Sequence, residues 1–172
     1  MSDPAQLARD RAEIKDLMGR YLFAMDWHDT EAYAACFTED GVLDYAMATL
    51  TGREEIRLGA EKFRDAVGDL FKREDGSPAL LRHVLDHIVI RVEGDEAWTT
   101  AFWWELTDGG PGRTPEIQSF GTYEDQLARV NGQWLFRRRK IYNEFIPGRE
   151  TPSANPVRHY DDAAARAAGE RN

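Results

Sequence analysis

The chain has 172 residues, 42% hydrophobic and 31% charged, which suits one globular domain large enough to enclose a cavity and leaves two domains cramped. A formal net charge of -9 argues against nucleic acid and against an anionic membrane as partners, because both recruit basic surfaces. With Cys36 as the single cysteine there is no intrachain disulfide and no multi-cysteine zinc site, so a reducing cytoplasm is the expected setting.

From Gln6 to Trp27, apolar residues recur at three- and four-residue steps (Leu7, Ile14, Leu17, Met18, Tyr21, Met25), the period of one buried helix face. The first fifteen residues are polar and helical in character and lack the apolar run of a signal peptide. Thr30 reads as the N-cap of a short second helix through Cys36, Thr38 to Gly41 as a turn, and Val42 to Tyr45 as a short strand. A capped start at Thr51 to Glu55 opens a third helix over Ile56 to Phe71. Three long strands follow, Leu81–Val92, Ala97–Thr107 and Ile117–Arg129. The dipeptide Asn131-Gly132 is a strong hairpin signal and leads into a last strand, Trp134–Tyr142. Helices first and antiparallel strands after is an α+β order, with helices packed on one side of a curled sheet. The expected division is a domain over residues 1–146 and a C-terminal arm over 147–172 that is partly disordered or packs on a neighbouring subunit.

The segments Ile14-Lys15-Asp16-Leu17, Arg20-Tyr21, Ala24-Met25-Asp26, Phe37 to Leu43 and Gly52 to Ile56, then Gly121 to Asp125 and Asn131 to Phe136, form a recognisable set. Together they resemble SnoaL-like domains of the nuclear transport factor 2-like superfamily. The resemblance implies a cone-shaped single domain, a strongly curved antiparallel (mixed) sheet with about three helices on it, and a homodimer or homotrimer. Its strongest echoes are of scytalone dehydratase-like enzymes, which implies cofactor-independent elimination. The family's helix-one aspartate then falls on Asp26, its histidine on His83, its tyrosines on Tyr21 and Tyr45, and a pocket arginine on Arg139. Where the dehydratases carry a further acid or histidine, this chain has Trp103, Trp104 and Glu105, of which Glu105 can substitute.

Those residue types suit proton transfer. A histidine titrating near 6.5 is a base at neutral pH, an aspartate on Nδ1 fixes its tautomer, and tyrosines can polarise a carbonyl or assist a departing oxygen. Strand alternation places His83, Leu85 and His87 on one face, Thr99, Ala101, Trp103 and Glu105 on another, Tyr123 on the next strand, and Arg139 beside Arg137. Trp103 is then a broad apolar wall, with Ser119, Gly121 and Tyr123 on the next strand as further lining, and Arg139 binds an anionic group. The reading is a lyase, a dehydratase or formaldehyde-releasing enzyme, acting on an aromatic or polycyclic hydroxylated small molecule. Its alternatives are an isomerase or polyketide-type cyclase with the same pair, and a non-catalytic ligand-binding or dioxygenase small-subunit-like module. Plainer roles compete: Asp26 can terminate its helix, Tyr21 and Tyr45 can be core, and Arg137 to Lys140 can be a solvated sheet face.

Overall fold

The computed structural model describes residues 3–157. Helix α1 (Pro4–Asp26) starts with Asp3 accepting from the Ala5 amide and Pro4 in its first turn, an ordinary capped start. Its inward stripe of Ile14, Leu17, Met18, Tyr21 and Leu22 is buried, each side chain contributing roughly 1.5–3 kcal/mol over exposure. Helix α2 (Thr30–Ala35) is capped by Asp29, whose carboxylate accepts from the Ala32 amide at 3.0 Å, so the cap falls one residue before the expected Thr30. Helix α3 (Arg53–Leu70) begins at Gly52, which holds φ +86.

Six strands form one open sheet: β1 (Phe37–Tyr45), β2 (Ala48–Thr51), β3 (Leu81–Glu93), β4 (Glu96–Thr107), β5 (Glu116–Val130) and β6 (Gln133–Ile141). Their order is β2-β1-β6-β5-β4-β3; β1 and β6 run parallel and the other neighbours antiparallel. The stretch Thr38–Gly41, expected as a turn, lies inside β1. There the register slips between Phe37 and Val42, and a Cβ on Gly41 would sit 2.9 Å from the Phe37 Cβ. Further slips occur in β3 between Asp86 and Val89, at the β4–β5 pair, and between β5 and β6. Each extra residue bends its strand, and together they curl the sheet over α1 and α3. The hairpin at Asn131-Gly132 has both residues at positive φ (51 and 81), as a tight turn between twisted strands demands.

After β6 the chain turns back over the sheet. Arg149 reaches the Asp44 carboxylate at 2.9 Å and the Ile141 carbonyl at 2.7 Å, and Thr151 meets Thr122. The first part of the expected arm is thus packed on its own domain, while 158–172 lie outside the described residues. Among the described residues no helix is long and apolar enough to cross a membrane.

Candidate active site

Asp26 occupies the last position of α1, where its side chain escapes the helix and meets the start of β3. Its Oδ2 accepts the backbone N–H of His83 at 2.8 Å, and its Oδ1 lies 2.6 Å from His83 Nδ1. Two contacts to one residue fix both the position and the rotation of the imidazole. Arg82 reinforces the junction by donating to the Asp26 carbonyl at 3.0 Å while its guanidinium lies 4.0 Å from the Trp27 ring centroid.

On the other side of the ring, Nε2 lies 3.1 Å from Glu105 Oε2. His83 and Glu105 are direct cross-strand partners, so their side chains share a face. That pairing depends on the irregularity in β3. Near the β3–β4 turn the partners are Glu93 with Glu96 and Val89 with Thr100; beyond the slip they are Asp86 with Phe102 and His83 with Glu105. Without the slip, His83 would face Leu106. The extra residue also ends the expected alternation of His83, Leu85 and His87. His87 adopts φ 51, points outward and meets Phe102 edge-on.

His83 and Asp26 are nearly sealed, with 6% and 5% of their side chains exposed, and Glu105 is 12% exposed. Burial alone pushes the imidazole towards neutrality, but the hydrogen bonds and charges of Asp26 and Glu105 outweigh it and raise the His83 pKa to about 9. The two carboxylates thus favour the protonated ring at neutral pH. Where sequence led to the expectation of a base held by one carboxylate, the ring lies between two, Asp26 at Nδ1 and Glu105 at Nε2.

His83 and Glu105 open onto a cavity of about 500 Å³, walled largely by apolar residues of α1, α2, α3 and the sheet. Tyr45, Trp103 and Tyr123 line it as well. Trp103 and Tyr123 stack with centroids 5.7 Å apart and 14° between planes, and the Trp103 indole N–H is held by the Tyr142 carbonyl at 3.1 Å. A wider groove of about 890 Å³ between α1, α2 and the β5–β6 turn holds neither His83 nor Glu105.

Two expected site residues lie elsewhere. Tyr21 is fully buried behind the cavity wall, its hydroxyl 2.7 Å from that of Tyr33, and it is Tyr33 that lines the cavity. Arg139 is no anion binder in this arrangement. It is wholly buried, forms a two-pronged ion pair with Asp125 at 2.8 Å and 2.8 Å, and packs on the rings of Tyr21, Tyr123 and Phe136. The slip opposite Gln126 and Leu127 separates it from Arg137, which is on the surface with Glu96. Tyr33 was missed because α2 spans six residues, too few for periodicity to tell its faces apart. Among the described residues no three His, Cys, Asp or Glu side chains are grouped to hold a metal ion.

A small α+β fold that wraps a curled sheet around an apolar cavity with a buried acid–base cluster at its wall defines a class of single-domain pocket proteins. Within that class, this chain belongs to the SnoaL-like domain family, whose model matches residues 6–140. The fold is similar to that of Rv3472, a protein of unknown function from Mycobacterium tuberculosis (23% identity, 99% of this chain and 90% of that one, TM-score 0.71). It is also similar to an NTF2-like protein with a cystatin-like fold from Novosphingobium aromaticivorans (24% identity, 97% of each chain, TM-score 0.67). A third similar structure, from the same organism, is a candidate scytalone dehydratase (27% identity, 88% of this chain and 95% of that one, TM-score 0.63). No curated protein matches the chain.

Proposed function

We propose that this protein is a cofactor-independent lyase that expels water or a related leaving group from an aromatic or polycyclic hydroxylated small molecule. One observation carries the reading: an imidazole clamped between two carboxylates in the wall of an apolar cavity. A buried acid–base cluster facing an apolar cavity favours catalysis over a module that only binds or assembles.

The arrangement supplies both halves of an elimination. Glu105 accepts the proton from the carbon next to an activating group, and the electron pair of that C–H bond forms the new double bond. The C–O bond breaks as His83 Nε2 gives its proton to the leaving hydroxyl, which departs as water. The site is left with a protonated Glu105 and a neutral His83, and their 3.1 Å contact lets the proton return directly to Nε2. Asp26 holds Nδ1–H throughout and stabilises the charged ring. Trp103 and Tyr123 offer stacked faces for a ring system. The likeness to a candidate scytalone dehydratase supports the same reaction class.

The test uses 3-hydroxy-1-tetralone, which loses water to give fluorescent 1-naphthol, within a panel of hydroxylated aryl compounds. Products are scored for water loss, formaldehyde release or an isomer of unchanged mass. The expected result is elimination that disappears in His83→Asn and Glu105→Gln. Full turnover in either variant refutes the mechanism, and a product of unchanged mass moves the protein to the isomerases.

A further inference from the structure

Behind the cavity wall lies a polar chain that the elimination chemistry does not use. Thr99 donates to Asp125 Oδ2 at 2.7 Å, and both Asp125 oxygens are taken by Arg139 Nε and Nη2. The Arg139 guanidinium carbon lies 4.1 Å from the Tyr21 ring centroid, 4.3 Å from that of Tyr123 and 4.0 Å from that of Phe136. Its remaining nitrogen, Nη1, is buried without a hydrogen-bond partner among the described residues. The Tyr21 hydroxyl is 2.7 Å from that of Tyr33, and only Tyr33 of the two reaches the cavity.

We infer that Tyr33 donates the hydrogen bond that holds a carbonyl or phenolic oxygen of the substrate, and that Tyr21 and Arg139 are positioning residues that turn its proton into the cavity. The direction follows from counting donors and acceptors. Each phenol has one proton, and only one of the pair can lie between the two oxygens. Were Tyr33 to donate inward, the Tyr21 proton would need another acceptor in the core. The charged neighbour against its ring is a guanidinium, which accepts nothing, and Asp125, held by Thr99 and Arg139, makes no hydrogen bond with the Tyr21 hydroxyl among the described residues. Tyr21 therefore donates to Tyr33, and the Tyr33 proton is left facing the cavity. The buried cation reinforces this order, because it favours negative charge on the Tyr21 oxygen, as a donating phenol develops.

Burial and the neighbouring Tyr21 hold the Tyr33 pKa well above the ordinary tyrosine value, so it remains a neutral donor at working pH. The substrate class narrows accordingly. It carries a hydrogen-bond-accepting oxygen on the side of the cavity formed by α2 and a leaving group at His83. A ketone or quinone-like ring fits, and a hydrocarbon ring bearing only the leaving hydroxyl does not.

This inference rests on the cavity being a substrate site, and its test is separable from that of the elimination chemistry. Acetophenone labelled with 13C at the carbonyl is titrated into the full chain, and the shift of the bound carbonyl resonance reports hydrogen bonding directly. The expected result is saturable binding with the carbonyl downfield of its position in hexane. Tyr33→Phe should return the resonance towards the hexane value and weaken binding by about fivefold, the loss of one hydrogen bond. Tyr21→Phe, which keeps the ring on Arg139 and leaves Tyr33 intact, should give an intermediate shift, an outcome that loss of packing alone does not produce. His83→Gln should leave the shift unchanged even though it stops turnover. An unchanged carbonyl in Tyr33→Phe, or no saturable binding to the wild type, overturns the assignment. A wild-type shift in Tyr21→Phe overturns the relay.

Discussion

The pH dependence of folding offers a stringent check on the reading of His83. Its pKa rises from the ordinary 6.5 to about 9 because two carboxylates outweigh the burial of the ring. A histidine that binds its proton more tightly folded than unfolded stabilises the fold fully below pH 6.5, progressively less above it, and not at all once pH passes about 9. At about 1.4 kcal/mol per pH unit, the interval corresponds to roughly 3 kcal/mol, a large share of a small domain's stability. The side chain is 6% exposed, so solvent screening removes little of this. Urea unfolding of the wild type and of His83→Gln should be measured from pH 6 to pH 10, and the difference between the two curves isolates the ring. The wild type should lose its advantage across that window while the imidazole nitrogens titrate near 9 by NMR. Turnover should follow the same limb, steady through neutral pH and falling above 9 as the acid is lost. Parallel stability curves, or a ring titrating at or below 6.5, would refute the clamped imidazolium; a rate that climbs towards pH 9 would return His83 to the role of base.

Three further perturbations have definite outcomes. Glu105→Gln removes one of the two charges that raise the ring, so the His83 titration and the high-pH limb of any residual turnover should both move down; an unmoved titration would show that Glu105 is electrostatically idle. Arg139→Met leaves Asp125 buried without its cation and should cost about 3–5 kcal/mol in urea unfolding, far more than Arg137→Met on the surface; equal losses would contradict the buried pair. Gly121→Ala would place a Cβ 2.1 Å from the Tyr142 carbonyl oxygen and should cost about 1–3 kcal/mol, with loosening of the segment that Asn143 ties to Ser119; wild-type stability would disprove the close approach.

Much of the fold was legible because its signals are local. The stripe along α1, the turn at Asn131-Gly132 and the long alternating strands can each be read from a few adjacent residues. Strand β2 escaped because four residues at a sheet edge, Ala48 to Thr51, carry neither a turn signature nor enough length to show a period. In the site, Asp26 and His83 were reached through resemblance, and the pair does meet. The charge state of the ring was not legible, since it depends on Glu105 as well. Strand alternation is a parity rule, and one inserted residue reverses it. The slip in β3 brings Glu105 opposite His83 and turns His87 outward, and the slip in β6 parts Arg139 from Arg137. Neither insertion is marked by glycine or proline, so counting by twos ran through both. Arg139 was misplaced for a second reason: a cation in a strand is expected at a surface or a ligand, and only the assembled core reveals Asp125 and three ring faces waiting for it.

The irregularity in β3 has one more effect. That strand is the outermost of the sheet, thirteen residues long, and an edge strand is where a second chain could add itself, although its outer row of amides and carbonyls is already partly taken, the His83 amide by Asp26 and the Ile90 carbonyl by Arg11. The left-handed kink at His87 breaks the row into two short runs that no straight incoming strand can follow from end to end. One inserted residue thus orients the imidazole on the inside and discourages fibrous stacking on the outside. A deletion that regularised the strand would set Leu106 opposite His83 and leave a smoother ribbon for a second chain to join.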